Sequence, residues 1–246
     1  TLMNGKKMDI PAFDFFNYSG LNRPVKITAV PIEHIDDISI VTDVKGSDGV
    51  INFEVKTTGS SNVSIQLMNH KKEVIATEKG TKGSIIVKNA KLWNPGAPYL
   101  YIMKVIIDGT NLEEPIDEYS IDVGIRTVKV EKTSFLINGR PFYFKGFGKH
   151  EDSEIIGRAY NPSVIKRDFE LLKWINANSF RTSHYPYSEE ILQMADREGI
   201  VIIDECAAVG LNVMNFSLVE MGSGHVPFFE KDTINDLYNT FKSLTE

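Results

Sequence analysis

Two folds in succession are predicted, a β-sandwich and then the opening strands and helices of a parallel β/α barrel. Three observations carry this expectation. Between Asp37 and about Arg126 short stretches of alternating polarity, such as Ile51-Asn52-Phe53-Glu54-Val55, are separated by turn residues at near-regular spacing. After Arg126 the texture changes to unbroken apolar strands such as Ile200-Val201-Ile202-Ile203, parted by segments of helical period, which is the pattern of a parallel sheet covered on both faces. The chain has 246 residues, 42% apolar and 24% charged, which is ordinary usage for one large or two smaller folded domains.

The sandwich strands come first in the reading. Ile38-Ser39-Ile40-Val41, Ile51 to Val55, Val63-Ser64-Ile65-Gln66-Leu67, Ser84-Ile85-Ile86-Val87 and Tyr99 to Val105 each fit a strand, with Gly, Asn and Asp turns between them. The expected architecture is an immunoglobulin-like sandwich. Trp93, followed by Asn94-Pro95-Gly96, is read as core filling rather than as a platform for a sugar ring. Upstream, Gly20 to Ile27 reads as a closing strand whose partners precede it.

The second fold starts at Phe135-Leu136-Ile137 and Pro141-Phe142-Tyr143-Phe144, joined at Asn138-Gly139, a pair suited to the left-handed φ of a tight hairpin. Asn161 caps a helix with Pro162 at its first position, and Ile165, Phe169, Leu172 and Ile175 recur at helical spacing. Asn178 to Arg181 is the next strand. Ser188 caps a second helix with Glu189 and Glu190 at its positive end, and Gly199 stops it. Ile234, Leu237, Tyr238, Phe241 and Leu244 share a further helical face between Thr233 and Glu246. A closed eightfold barrel takes roughly 250 residues, so the barrel is expected to be incomplete here.

Composition excludes several function classes. Net charge is −6, with basic residues scattered rather than gathered in stripes, so a nucleic-acid partner has no electrostatic support. No apolar run approaches the eighteen or so residues of a membrane span. Cys206 is the single cysteine, which mildly favours a reducing compartment, and no secretion signal is visible in the first residues.

In a β/α barrel the chemistry lies at the carboxyl ends of the strands. Three consecutive strand ends qualify: Phe142 to Phe144 lead to Lys149, His150, Glu151 and Asp152, Phe180 to Arg181, Ser183 and His184, and Ile203 to Asp204 and Glu205. The plain account is an ion pair between Arg181 and Glu205 among polar loop residues. A minor alternative is a metal held by His150, His184 and Glu205 as a two-histidine, one-carboxylate set, although no local metal motif supports it.

The stretch Asn178-Ser179-Phe180-Arg181-Thr182-Ser183-His184-Tyr185-Pro186, continuing through Ile191-Leu192, Asp196 and Gly199 into Ile200 to Ile203, resembles the signature of glycoside hydrolase family 2. Asp14-Phe15-Phe16-Asn17-Tyr18, Gly146 to Asp152 and Ser183 to Glu190 are similar to its glucuronide-cleaving branch more than to its galactoside-cleaving one. The resemblance implies three domains. Residues 1–31 would be the end of a jelly-roll sugar-binding domain, 32–125 the immunoglobulin-like sandwich, and 126–246 the first part of a TIM barrel.

It also implies a reaction, the hydrolysis of β-D-glucuronides with retention, by one acid and one nucleophilic carboxylate. Neither is expected in this chain. The acid of the resembled family lies in Asn-Glu-Pro, and no Asn-Glu pair occurs here. What carries over is supporting: Asp14 and His184 as sugar contacts, Arg181 as the residue that orients the nucleophile, and His150, Glu151 and Glu205 in the pocket wall. Neither cofactor nor metal is implied. The partner is a glucuronide, in a bacterial homo-oligomer, tetramer or dimer, and the segment from Leu211 to Glu230 has two readings, an active-site lid or a disordered insertion. The alternatives are a β-galactosidase or β-mannosidase of the same family, and a non-catalytic carbohydrate-binding piece.

Overall fold

The computed structural model describes residues 2–3, 6–7, 18, 20–59, 62–109 and 115–205. Asp14, Cys206, the segment from Leu211 to Glu230 read as a lid or an insertion, and the expected helix from Thr233 to Glu246 lie outside the described residues. Two short strands, β1 (Leu2–Met3) and β2 (Lys6–Lys7), form an antiparallel pair. Seven strands follow: β3 (Ile35–Lys45), β4 (Asp48–Thr57), β5 (Val63–Met68), β6 (Val74–Lys79), β7 (Lys82–Val87), β8 (Tyr101–Ile107) and β9 (Asp117–Val123).

These seven divide into two antiparallel sheets, ordered β3-β4-β7 and β6-β5-β8-β9. Side-chain alternation decides which face of each is buried. On β4, Ile51, Phe53 and Val55 are buried while Asn52, Glu54 and Lys56 are exposed. On β8, Tyr101, Met103, Val105 and Ile107 point inward, and on β5 Val63, Ile65 and Leu67 do the same. Both sheets contribute to one continuous core, the face-to-face packing that defines a sandwich.

Gly20 to Ile27 forms no strand, contrary to the sequence expectation. A strand needs a ladder partner for its N–H and C=O groups, and no sheet among the described residues takes in this segment, in which Leu21, Val25 and Ile27 are strongly exposed. Trp93 is buried, as read, but it fills a seam rather than the sandwich centre. Its indole Nε1 donates to the carbonyl of Asp196 at 2.7 Å, and the Arg126 guanidinium lies 5.1 Å above its ring. Arg197 to Asp122, at 3.2 Å, spans the same seam.

A three-stranded antiparallel ribbon comes next: β10 (Val128–Glu131), β11 (Ser134–Ile137) and β12 (Arg140–Pro141). Asn138 and Gly139 turn between the last two with φ of 51° and 71°, as a hairpin with a doubly left-handed turn requires. The parallel part is β13 (Gly146–Lys149), α1 (Pro162–Trp174), β14 (Ser179–Thr182), α2 (Glu189–Glu198) and β15 (Val201–Ile203), with β14 central. The first parallel strand is therefore not Phe142 to Phe144. Phe142 and Phe144 pack on Phe135 and on each other edge to face while Tyr143 stays exposed, and pairing starts at Gly146, where a Cβ would sit 2.2 Å from the Ser179 carbonyl oxygen.

Helix α1 buries Ile165, Phe169 and Leu172 against Phe180 of β14. Ile175, expected on that face, terminates the helix and is half exposed. The Asn161 side chain accepts from Ser163 N at 3.0 Å and Val164 N at 3.3 Å, and Pro162 follows it. Asn161→Ala is expected to cost about 1 kcal/mol of stability, read as a lower urea midpoint with an unchanged slope. Ser188 holds the N-cap position of α2 without a side-chain capping bond, so the two glutamates of the first turn stabilise that end instead. No helix among the described residues is long and apolar enough to cross a membrane.

Candidate functional site

Register alone fixes which way each site residue points. Phe147, Phe180 and Ile202 are partners across β13, β14 and β15, and Gly148, Arg181 and Ile203 form the next row. Because side chains alternate, and Phe180 packs on Phe169 of α1, Arg181 points to the opposite face, away from the helices. Lys149 and Thr182, one row further, turn back toward them: Lys149 Nζ meets Asp168 of α1 at 2.7 Å.

At the carboxyl ends of β14 and β15 three predicted residues come together. Arg181 Nη1 donates to Glu205 Oε1 and lies 3.3 Å from His184 Nδ1, which is itself 3.4 Å from Glu205 Oε2. The His150 and His184 rings meet edge to face with centroids 5.5 Å apart. The side chains of these three residues stay partly exposed, Arg181 at 39%, Glu205 at 28% and His184 at 22%, so they border open space rather than a sealed core. The metal alternative gains nothing: among the described residues no three His, Cys, Asp or Glu side chains are grouped to hold an ion.

Several residues not singled out from the sequence build this arrangement. Thr182, fully buried, donates through Oγ1 to Asp204 Oδ1 and accepts from Glu205 N, both at 2.8 Å, which sets the backbone that aims Glu205. Gly148 leaves room for the guanidinium, since a Cβ there would lie 2.9 Å from Arg181 Nη2 and 2.7 Å from Ser183 Oγ. The Tyr187 hydroxyl donates to the carbonyl of Lys149 and lies 3.2 Å from that of Ser183, the residues just before His150 and His184. Burial pushes the Tyr185 phenol up to about 12 and raises that of Tyr187 as well, so both stay neutral at physiological pH. A polar residue at the end of an apolar strand was the available signal for Thr182; for Gly148 and Tyr187 the spacing held none.

Tyr187→Phe is expected to destabilise by about 1–3 kcal/mol, because buried carbonyls lose their donor while the ring packing survives. Chemical denaturation measures it, and an unchanged midpoint would show the hydroxyl to be idle.

Glu151, expected in the pocket wall, turns its carboxylate toward Arg23. Both of its oxygens accept from Arg23 Nη2, at 2.9 and 3.1 Å, and its side chain is 7% exposed.

Comparisons with known proteins bear on what this geometry serves. The model described as "Glycosyl hydrolases family 2" matches residues 33–126, and that described as "Glycosyl hydrolases family 2, TIM barrel domain" matches 128–240. A β-glucuronidase of Paenibacillus borealis is 52% identical over 206 residues, covering 83% of this chain and 34% of the relative. The human β-glucuronidase is 45% identical over 212 residues, covering 83% and 33%. Among solved structures, Ruminococcus gnavus β-glucuronidase in complex with D-glucaro 1,5-lactone superposes with a TM-score of 0.80 at 48% identity, covering 87% of this chain and 36% of that one. The same enzyme in complex with D-glucuronic acid gives 0.78 at 49%, covering 85% and 36%. The chain thus spans about a third of the length of the curated relatives it matches.

Proposed function

The chain belongs to glycosyl hydrolase family 2, and on that premise we propose that it is part of a longer enzyme that hydrolyses β-D-glucuronides with retention of configuration. The observation that carries this reading is the convergence of Arg181, His184 and Glu205 at neighbouring strand ends, in a chain about half identical to enzymes named for that reaction. In the proposal, residues 1–31 close a jelly-roll domain, 32–125 form an immunoglobulin-like sandwich, and 126–246 begin a TIM barrel.

The roles follow from chemistry. A guanidinium has five N–H donors in a planar fork, so the bond from Arg181 to Glu205 leaves it able to hold a second carboxylate. We assign that second carboxylate to the nucleophile, which Arg181 would keep ionised and aimed. His184, at a strand end beside a cation and a carboxylate, is placed to donate to a sugar hydroxyl as charge develops on the ring. Asp14 is proposed as a further sugar contact, and His150 and Glu205 as pocket wall. The acid and nucleophile are proposed to belong to segments beyond this chain's own residues, and the enzyme is proposed to be a cytoplasmic bacterial homo-oligomer.

Steady-state kinetics of the longer enzyme on nitrophenyl β-D-glucuronide and nitrophenyl β-D-galactoside test the reading. Turnover of the glucuronide should exceed that of the galactoside by orders of magnitude. Equal or faster cleavage of the galactoside would contradict it.

A further inference from the structure

Glu151 follows His150 directly, yet its carboxylate faces a segment 128 positions upstream rather than the strand-end cluster. Arg23 serves both oxygens from one nitrogen. Two further contacts join the same segments. Tyr160 N donates to the Asn22 carbonyl at 3.2 Å, and the Tyr18 ring lies over Gly157, where a Cβ would come within 2.9 Å of it. Gly157 has φ of 56° and exchanges backbone hydrogen bonds with Ser153 at 2.9 and 3.0 Å, so the loop is itself a closed turn against which the upstream segment lies. Downstream the loop ends at Asn161, the cap of α1.

We propose that Glu151 is a positioning residue: through Arg23 it straps the Tyr18–Arg23 segment across the loop 151–160 and so holds the chain that leaves His150. A guanidinium nitrogen shared between both oxygens fixes the orientation of the carboxylate. Removing either partner abandons the other, and because Glu151 is nearly buried while Arg23 is 37% exposed, the stranded carboxylate carries the larger penalty. The strap explains why a glutamate stands beside the histidine pair without joining it. Its kinetic consequence rests on the glycosidase reading, whereas its structural consequence does not.

The test is a double-mutant cycle in the longer enzyme with Arg23→Gln, Glu151→Gln and the pair. Each single variant should raise KM by about tenfold with kcat within about twofold of wild type, and the double variant should be no worse than the poorer single. Hydrogen exchange of the amides in 153–160 should quicken by about tenfold in both single variants, a readout that needs no substrate. Additive losses, unchanged exchange, or a kcat for Glu151→Gln down by more than about a hundredfold beside a normal Arg23→Gln would overturn the proposal, the last by making Glu151 a substrate-touching group. If the wild-type enzyme cleaves another glycoside and not the glucuronide, the proposed function fails while the cycle is still read on that glycoside.

Discussion

Arg181→Ala in the longer enzyme is expected to lower kcat by about a hundredfold or more, with KM little changed. Arg181 is held at the mouth of β14 by three things: the register that turns it away from α1, the absence of a Cβ at Gly148, and its bond to Glu205. Deleting the guanidinium leaves Glu205 without its cation and, in the proposed role, leaves the nucleophile unaimed. Displacement of a reacting group by about 1 Å costs on the order of 10²-fold, and a loss expressed in kcat marks an interaction made in the transition state. Arg181→Lys should recover part of the charge and little of the rate, since an ammonium cannot bridge two carboxylates as a planar fork does. Steady-state kinetics on nitrophenyl β-D-glucuronide decide this, and a near-wild-type kcat for the alanine variant would remove Arg181 from the machinery.

The largest effect on stability is expected at Phe169→Ala. Phe169 is 1% exposed and meets the Phe180 ring edge to face with centroids 5.9 Å apart, among Ile165, Leu172, Ile191 and Ala195. Emptying that volume should cost about 3–5 kcal/mol from lost transfer energy and the remaining cavity. Phe180 precedes Arg181, so the same substitution loosens the strand that presents the guanidinium. Urea unfolding followed by tryptophan fluorescence would show the cost; a loss under about 1 kcal/mol would mean that the helix α1 contact contributes little.

The two folds were legible because periodicity is a local property of sequence. Alternation at Ile51, Phe53 and Val55 reflects one covered face, and the unbroken run from Ile200 to Ile203 marks a parallel strand, although Ile203 itself is exposed. Asn138-Gly139, Asn161-Pro162 and Gly199 were readable for a related reason, since each satisfies a backbone demand that neighbouring residues already announce. Register was less legible. Phe142 to Phe144 has the composition of a strand, but Phe142 and Phe144 cluster with Phe135, and pairing waits until Gly146 lets the Ser179 carbonyl approach. Gly20 to Ile27 likewise has strand-like residues, and what decides its state is a partner, which spacing along the chain does not report.

Within the site, Arg181, His184 and Glu205 could be found because a parallel sheet sends its strand ends to one place. The partner of Glu151 could not. Arg23 lies far away in sequence, in a segment of no regular structure, and an ion pair between distant loops leaves no periodic trace. Thr182 and Gly148 stayed unmarked for the same reason: their importance lies in what they allow a neighbour to do.

The account turns on the claim that the β14 and β15 strand ends border the sugar-binding pocket. A crystal structure of the longer enzyme with D-glucuronic acid bound tests it most directly. His184 is predicted within hydrogen-bond distance of a sugar hydroxyl and Arg181 against a carboxylate of the pocket. A sugar seated elsewhere, with both side chains remote from it, would contradict the account.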